Sequence, residues 1–206
     1  MIKLLLSKIL KVYRYINEYI DLKINQVTLD YKKVRYRSIP SIKGRITINN
    51  DGIIELGENV VFNCAMESNY VGLFKPCTIS VSANAILKIG NNTGLSGVSI
   101  YCAKGITIGN YVNIGGNVCI WDTDFHPLNY LDRRVHLVDK INTSPIRIED
   151  DAFIGANSII LKGVTIGEKS IVGAGSVVTK SIPANEIWAG NPAKLIRKNE
   201  ITKLQV

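Results

Sequence analysis

The chain of 206 residues has only two histidines, His126 and His136, and four cysteines, Cys64, Cys77, Cys102 and Cys119. No two cysteines have the short spacing of a zinc or redox motif. Buried free thiols in a reducing compartment are therefore expected, not a disulfide framework. No apolar run reaches the ~20 residues that a membrane span needs. No Pro/Ser-rich linker or low-complexity tract divides the chain. Basic residues are not interleaved with aromatics through the main body, so the pattern of a nucleic-acid reader is missing. What the chain has in excess is positive charge, 25 Lys and Arg against 17 Asp and Glu, a formal +8. That balance suits an anionic partner, such as a phosphate-rich small molecule or a membrane surface, and is also compatible with plain solubility charge. The length allows one well-filled domain, with at most a small appendage.

The first residues read "MIKLLLSKILKVYRYINEYIDLK". Ile2, Leu5, Leu6, Ile9, Tyr13, Ile16 and Ile20 recur at helical spacing. Lys3, Lys8, Lys11, Arg14, Glu18 and Asp21 occupy much of the remainder. The pattern predicts an amphipathic helix. Its charges interrupt the apolar run too often for a signal peptide, and no small-residue cleavage site follows. The helix is expected to pack on the rest of the protein or on a neighbouring subunit. Peripheral membrane contact through residues 1–24 is the alternative.

From Ile148 the sequence divides into sixes: "IEDDAF", "IGANSI", "ILKGVT", "IGEKSI", "VGAGSV", "VTKSIP". The first residue is Ile or Val every time. The fifth is small or β-branched in the first five hexads, at Ala152, Ser158, Val164, Ser170 and Ser176. A period of six fits neither a 3.6-residue helix nor a hairpin meander. It fits a solenoid of short parallel strands, with the first residue pointing into the axis, a small one beside it, and Gly or Asn where the chain turns. The same beat runs upstream at Ile89, Leu95, Ile108, Ile114 and Ile120, with a degenerate rung at Leu56. It slips by a residue between Tyr101 and Ile108, which predicts a bulge or a widened corner. The one long interruption read from the pattern is Asp122 to Ser144. An excursion of this length is usually functional or an assembly contact.

The hexads resemble those of the left-handed β-helix, or hexapeptide-repeat, acyltransferases. The run "GVTIG", "GAGSVVTK", "IPAN" and "AGNPAK" resembles the galactoside and maltose O-acetyltransferase pattern. "TDFHPL" is similar to what bacterial polysaccharide O-acetyltransferases of this group carry. The resemblance covers about Leu56 to Lys198. Phe153 departs from it, standing where relatives often have Trp. The resemblance implies an all-β, left-handed parallel β-helix, to which the sequence adds an N-terminal amphipathic α-helix and a long loop excursion. It implies a homotrimer with sites between neighbouring solenoids, and direct transfer of acetyl from acetyl-CoA to a sugar hydroxyl, without a metal. The expected divisions are 1–40 for the helix and connector, 41–198 for the β-helix with loop 122–144, and 199–206 for the tail.

A sugar hydroxyl needs its proton removed as it attacks the thioester, and an imidazole does this near neutral pH. His126 lies where the solenoid opens into its long loop, beside Pro127. By the resemblance it corresponds to the family's catalytic base. Asp122 and Asp124 stand near it in sequence. One of them could orient the imidazole or bind acceptor hydroxyls, and both also suit ordinary turn chemistry. Trp121 could stack on a sugar ring or pack on the loop. Ser96, in "GLSG", falls where relatives place an acceptor-contacting polar residue, and a corner serine is its plain alternative. The resemblance places the Ala156 amide at the thioester carbonyl. It places Ala174, Thr179 and Lys180 along the pantetheine and phosphates, and Lys194 and Arg197 at the nucleotide end.

The γ-class carbonic anhydrases share this solenoid but need three zinc-binding imidazoles, and only two histidines exist here. The reading is therefore an acetyl-CoA-dependent O-acetyltransferase acting on a sugar or glycan precursor, with no nucleic-acid partner. It is placed in the cytoplasm, with the inner face of the membrane as the alternative. The rivals are an N-acetyltransferase on an amino-sugar nucleotide and a non-catalytic solenoid that binds partners.

Overall fold

The computed structural model describes residues 2–200; the tail beyond Glu200 lies outside the described residues. Among the described residues, helix α1 (Ile2–Tyr31) leads into twenty strands and one further short α-helix, α2 (Tyr130–Arg134). The strands form three sheets that the chain visits in turn. The first holds β1 (Arg35–Tyr36), β4 (Ile53–Leu56), β7 (Ile86–Ile89), β10 (Gly105–Ile108), β13 (Ile146–Ile148) and β16 (Thr165–Ile166). The second holds β2 (Ser41–Lys43), β5 (Val61–Asn63), β8 (Gly94–Ser96), β11 (Asn113–Gly116), β14 (Phe153–Ile154), β17 (Ile171–Val172), β19 (Glu186–Ala189) and β20 (Lys194–Lys198). The third holds β3 (Thr47–Asn50), β6 (Thr78–Val81), β9 (Ser99–Cys102), β12 (Cys119–Trp121), β15 (Ile159–Leu161) and β18 (Val177–Val178).

All pairings are parallel except β19 with β20, which closes the end of the solenoid as a hairpin. In the regular part, Arg147 pairs with Thr165, Phe153 with Ile171 and Ile159 with Val177, so one coil is three hexads. The first residues of the hexads, Ile148, Ile154, Ile160, Ile166, Val172 and Val178, are all fully buried. The small fifth residues fill the interior beside them. Ser158, Ser170 and Ser176 satisfy their buried hydroxyls by donating to the carbonyls of Gly173, Pro183 and Gly173. The ladder begins at Arg35, one coil before the rung at Leu56 and inside the stretch expected to be connector.

The corners explain the Gly and Asn pattern. A Cβ on Gly115 would sit 2.7 Å from the Ala156 nitrogen of the next coil. Asn59, Asn92, Asn117 and Asn157 take the left-handed conformation at corners, which Asn tolerates better than most residues.

A second excursion escaped the repeat pattern. Residues 64–77 leave between β5 and β6 and fold back over the corner between the second and third sheets. Asn117 ties this segment down, accepting from Phe74 N and donating to Gly72 O. Cys64 and Cys77 stand at its neck as buried free thiols, with Cys77 Sγ 3.4 Å from the Asn63 carbonyl.

Helix α1 docks through its last third. Asn25 donates to Gly44 O and accepts from Ile46 N, Leu29 is buried, and Asp21 pairs with Arg45 at 2.6 Å. At 3.6 residues per turn the stripe Leu6, Ile9, Tyr13, Ile16 and Ile20 falls on the side opposite Asn25 and Leu29, and it is exposed. Ile2 and Leu5 of that expected stripe have side chains outside the described residues. No helix among the described residues is long and apolar enough to cross a membrane.

Ile154 lies between Ile114 of the preceding coil and Val172 of the next. Its replacement by Ala should cost about 2–5 kcal/mol, read from the denaturant unfolding midpoint. An unchanged midpoint would contradict a continuous packed axis.

Candidate active site

The third sheet delivers the chain to the excursion. Trp121 ends β12, and its neighbours on the same outward column are Tyr101 before it and Leu161 after it. Asp122 and Thr123 are buried at the neck. Thr123 bridges Thr143, and Ser144 N donates to Asp122 O at 3.0 Å, so outgoing and returning strands are pinned together.

Asp122, expected to bind acceptor hydroxyls or orient the imidazole, has its carboxylate turned into the fold. Its carboxylate is fully buried and accepts three backbone N–H groups, from Ala103 (2.6 Å), Lys104 (2.8 Å) and Gly105 (2.7 Å). This is the cause of the slip between Tyr101 and Ile108: the corner is widened to wrap a carboxylate. Successive amides converging on one anion form a nest. The buried Cys102 thiol is pushed up to about 12, first by burial and then by the nearby Asp122 charge.

Asp124 does not hold the histidine either. Its carboxylate pairs with Lys162 at 2.6 Å, a half-buried contact that ties the excursion to the next coil, and Asn142 Nδ2 lies 3.4 Å away. What Asp124 supplies is its carbonyl, which accepts from His126 N at 2.7 Å. Phe125 between them has φ +61°. An i to i+2 bond across a residue at positive φ is the rare, strained γ-turn. The Phe125 ring is held by Tyr101 (centroids 4.9 Å) and Trp121 (5.6 Å), both edge-on, and its amide by Thr123 Oγ1 at 3.2 Å. Trp121 thus packs on the loop while also bordering an open depression on the third sheet. The turn leaves His126 exposed, with buried Pro127 fixing the chain behind it.

Ser96 is engaged within the fold as well. It is 5% exposed beneath the 64–77 segment, and its hydroxyl accepts from Asn63 and Asn69 at 3.0 Å each. It fastens that segment. His136 lies in the exposed loop after α2, away from the turn at His126 in sequence and without a side-chain partner among the described residues.

Ala156 and Ala174 occupy the same corner one coil apart; a Cβ on Gly155 would run into the Ala174 nitrogen. At this corner the amides of Gly155 and Asn157 donate to Val172 O (2.7 Å) and Gly116 O (2.8 Å), and those of Gly173 and Gly175 to Trp188 O and Ala156 O (2.8 Å each). The intervening amides of Ala156 and Ala174 have no such partner among the described residues. They are fixed donors at a corner where only small side chains stand, which fits an acyl thioester and an amide-bearing arm. Lys194 pairs with Ala189, which packs against Gly173, so its exposed side chain starts from this corner's end of the second sheet. Arg197 is exposed on the same strand. Thr179 and Lys180 are exposed too, but at the next corner, past β18. The described residues offer no cluster of three His, Cys, Asp or Glu side chains for a metal.

Phe125, Tyr101 and Lys162 had no signal of their own in the sequence. Phe125 was visible only as part of "TDFHPL".

A family profile described as the hexapeptide repeat of succinyl-transferase matches residues 145–180. A provisionally named acetyltransferase of Schizosaccharomyces pombe is 50% identical over 95 residues, 46% of this chain and 44% of that one. A 2,3,4,5-tetrahydropyridine-2,6-dicarboxylate N-acetyltransferase of Staphylococcus aureus is 47% identical over 62 residues, 30% of this chain and 26% of that one. The chain thus spans less than half the length of either relative. Among solved structures, a hexapeptide-repeat acetyltransferase of Vibrio cholerae complexed with acetyl-CoA matches at 32% identity and TM-score 0.50, over 61% of this chain and 66% of that one. A galactoside acetyltransferase in complex with coenzyme A matches at 29% identity and TM-score 0.53, over 70% and 64%. These matches bear out the left-handed β-helix and the resemblance to hexapeptide-repeat acyltransferases.

The structural role of Asp122 can be separated from a chemical one. Asp122→Ala strands three N–H groups at ~1–3 kcal/mol each, so stability should fall by roughly 3 kcal/mol or more in urea unfolding, with Asp122→Asn falling less. An unaltered midpoint in Asp122→Ala would remove the anchoring role.

Proposed function

We propose that the chain is an acetyl-CoA-dependent O-acetyltransferase that moves acetyl directly to a hydroxyl of a sugar or polysaccharide precursor, with His126 as general base. The observation that carries this reading is the strained turn at Asp124–His126. It presents an otherwise unengaged imidazole beside an aromatic cluster, at the mouth of the excursion. In the proposed step the imidazole takes the hydroxyl proton as the oxygen attacks the thioester carbon. The oxyanion is met by a fixed amide, for which Ala156 is suited. Collapse expels the CoA thiolate, and the imidazolium returns the proton to it. Ala174, Thr179 and Lys180 would hold the pantetheine and phosphates, and Lys194 and Arg197 the nucleotide end.

The reading includes a homotrimer. The outward residues of the first sheet are largely charged or polar, with Arg35, Glu55 and Lys88 joined in a surface ion-pair row. In the later coils, from β14 onward, the second and third sheets instead turn Phe153, Ile171, Ile159 and Leu161 outward, the kind of surface that another copy covers. Cytoplasmic placement with α1 against an anionic membrane face belongs to the same proposal. It is supported by the exposed stripe and by Lys3, Lys8, Lys11 and Arg14, which precede any acidic residue of the helix.

N-acetylation is the second reading, favoured by the acceptor chemistry in the staphylococcal relative's name. An amine attacks with a free lone pair and needs less help from a base.

His126→Ala should lower kcat towards a sugar hydroxyl by about 10² to 10⁴ while the CoA Kd stays put. Equal turnover by both proteins would end the general-base role, and a much smaller loss on an amino-sugar than on any hydroxyl acceptor would favour N-acetylation. In a separate test, Ile9→Glu with Ile16→Glu should abolish cosedimentation with anionic vesicles. Retained cosedimentation would rule α1 out as the contact.

A further inference from the structure

The third sheet carries a groove of about 310 Å³ on its outer face. Two columns of side chains form it. One is Thr47, Thr78 and Ser99; the other is Asn49, Ser80, Tyr101 and Trp121, each residue beside the next on adjacent parallel strands. Phe125 stands across the end near His126. At a strand spacing of about 4.8 Å, Asn49 lies roughly 14 Å from Trp121 along the sheet.

The side chains exposed along this lining are hydroxyls, one amide and aromatic rings, over a floor to which the buried Ile79 and Ile100 belong, and none of the lining side chains is charged. At the rim the Lys75 ammonium is turned onto Ser99 Oγ (2.7 Å) and Cys119 Sγ (3.3 Å). Pyranose rings present apolar C–H faces and equatorial hydroxyls, which aromatic edges and neutral hydrogen-bonding side chains recognise. A nucleotide diphosphate would call for Arg, Lys or converging backbone amides, and the lining supplies no such side chain.

We infer that this groove binds the acceptor glycan, and that the acceptor is a neutral saccharide longer than one ring, running from the Trp121–Phe125 end near His126 towards Asn49. The inference rests on the acetyl-transfer reading and deepens it by naming the substrate class.

The test places bulk at the far end of the groove. Asn49 is exposed on its strand, so Asn49→Trp fills space without touching the core. With acetyl-CoA as donor, KM for a neutral tetrasaccharide should rise by about tenfold, the cost of one lost hydrogen-bonded subsite, and by far more than KM for the monosaccharide. Saturation-transfer NMR without acetyl-CoA should show the tetrasaccharide binding wild type, weakened in Asn49→Trp, and should show no competition from a nucleotide sugar. If that binding pattern holds while no acceptor is acetylated, the groove stands and the transferase reading falls. The inference is overturned if long and short acceptors respond alike to Asn49→Trp, or if a nucleotide sugar displaces the tetrasaccharide. It is equally overturned if Asn49→Trp changes the particle size in light scattering, because the face would then be an interface between copies. Ser80→Val, a smaller change in the middle of the same column, should reproduce the KM effect with the same preference for long acceptors.

Discussion

The coils of this solenoid meet backbone to backbone at their corners, and the rest of the molecule follows from that contact. Gly115 on Ala156 and Gly155 on Ala174 leave no room for a side chain between coils. The spacing of coils is thereby held at that of parallel strands, and the interior is held to a width that one aliphatic and one small residue fill. The same contact decides which amides are free. At the corner of residues 155–157 and 173–175, alternate N–H groups close the stack, and those of Ala156 and Ala174 are left without a partner among the described residues. A row of donors on a rigid edge is thus a by-product of how the coils stack, available for chemistry without any dedicated loop.

The fold was legible because this stacking writes a period of six into the sequence. Burial of Ile148, Ile154, Ile160 and their successors could be read directly, since each coil repeats the same geometric demand. The excursion at 122–144 was legible for the same reason, as a gap in the beat. The segment 64–77 was not. It leaves a region where the repeat is already degenerate, and the residues that fasten it, Asn69, Asn117 and Ser96, contact it through side chains far apart in sequence.

The candidate site was legible in part. "TDFHPL" pointed to the exposed turn at His126, while the contacts of the aspartates beside it could not be read from sequence. An Asp at the end of a rung looks the same whether it faces a substrate or a buried nest. Only the three amides of residues 103–105, one coil back, distinguish the cases. Lys162 was silent because a lysine after a rung is ordinary until its partner Asp124 is known. In both instances the information lies in the stacking of neighbouring coils, roughly twenty to forty residues away in the chain.

Phe125 is where the demands of fold and site meet. A bulky residue at positive φ costs about 1–3 kcal/mol, and a glycine there would relieve it. Glycine would also remove the ring that fills the space between Tyr101 and Trp121, and with it the contact that fixes the turn's direction. The strain persists because three independent attachments hold it: the edge-on ring contacts, the Thr123 hydroxyl on the Phe125 amide, and the Asp124–Lys162 pair behind it. Together they aim the next residue outward without engaging its side chain. A histidine placed in this way keeps both ring nitrogens open to whatever docks against the third sheet. The rigid solenoid therefore positions the His126 side chain through the backbone of its neighbour, and the excursion need not be long or flexible to hold that side chain outward.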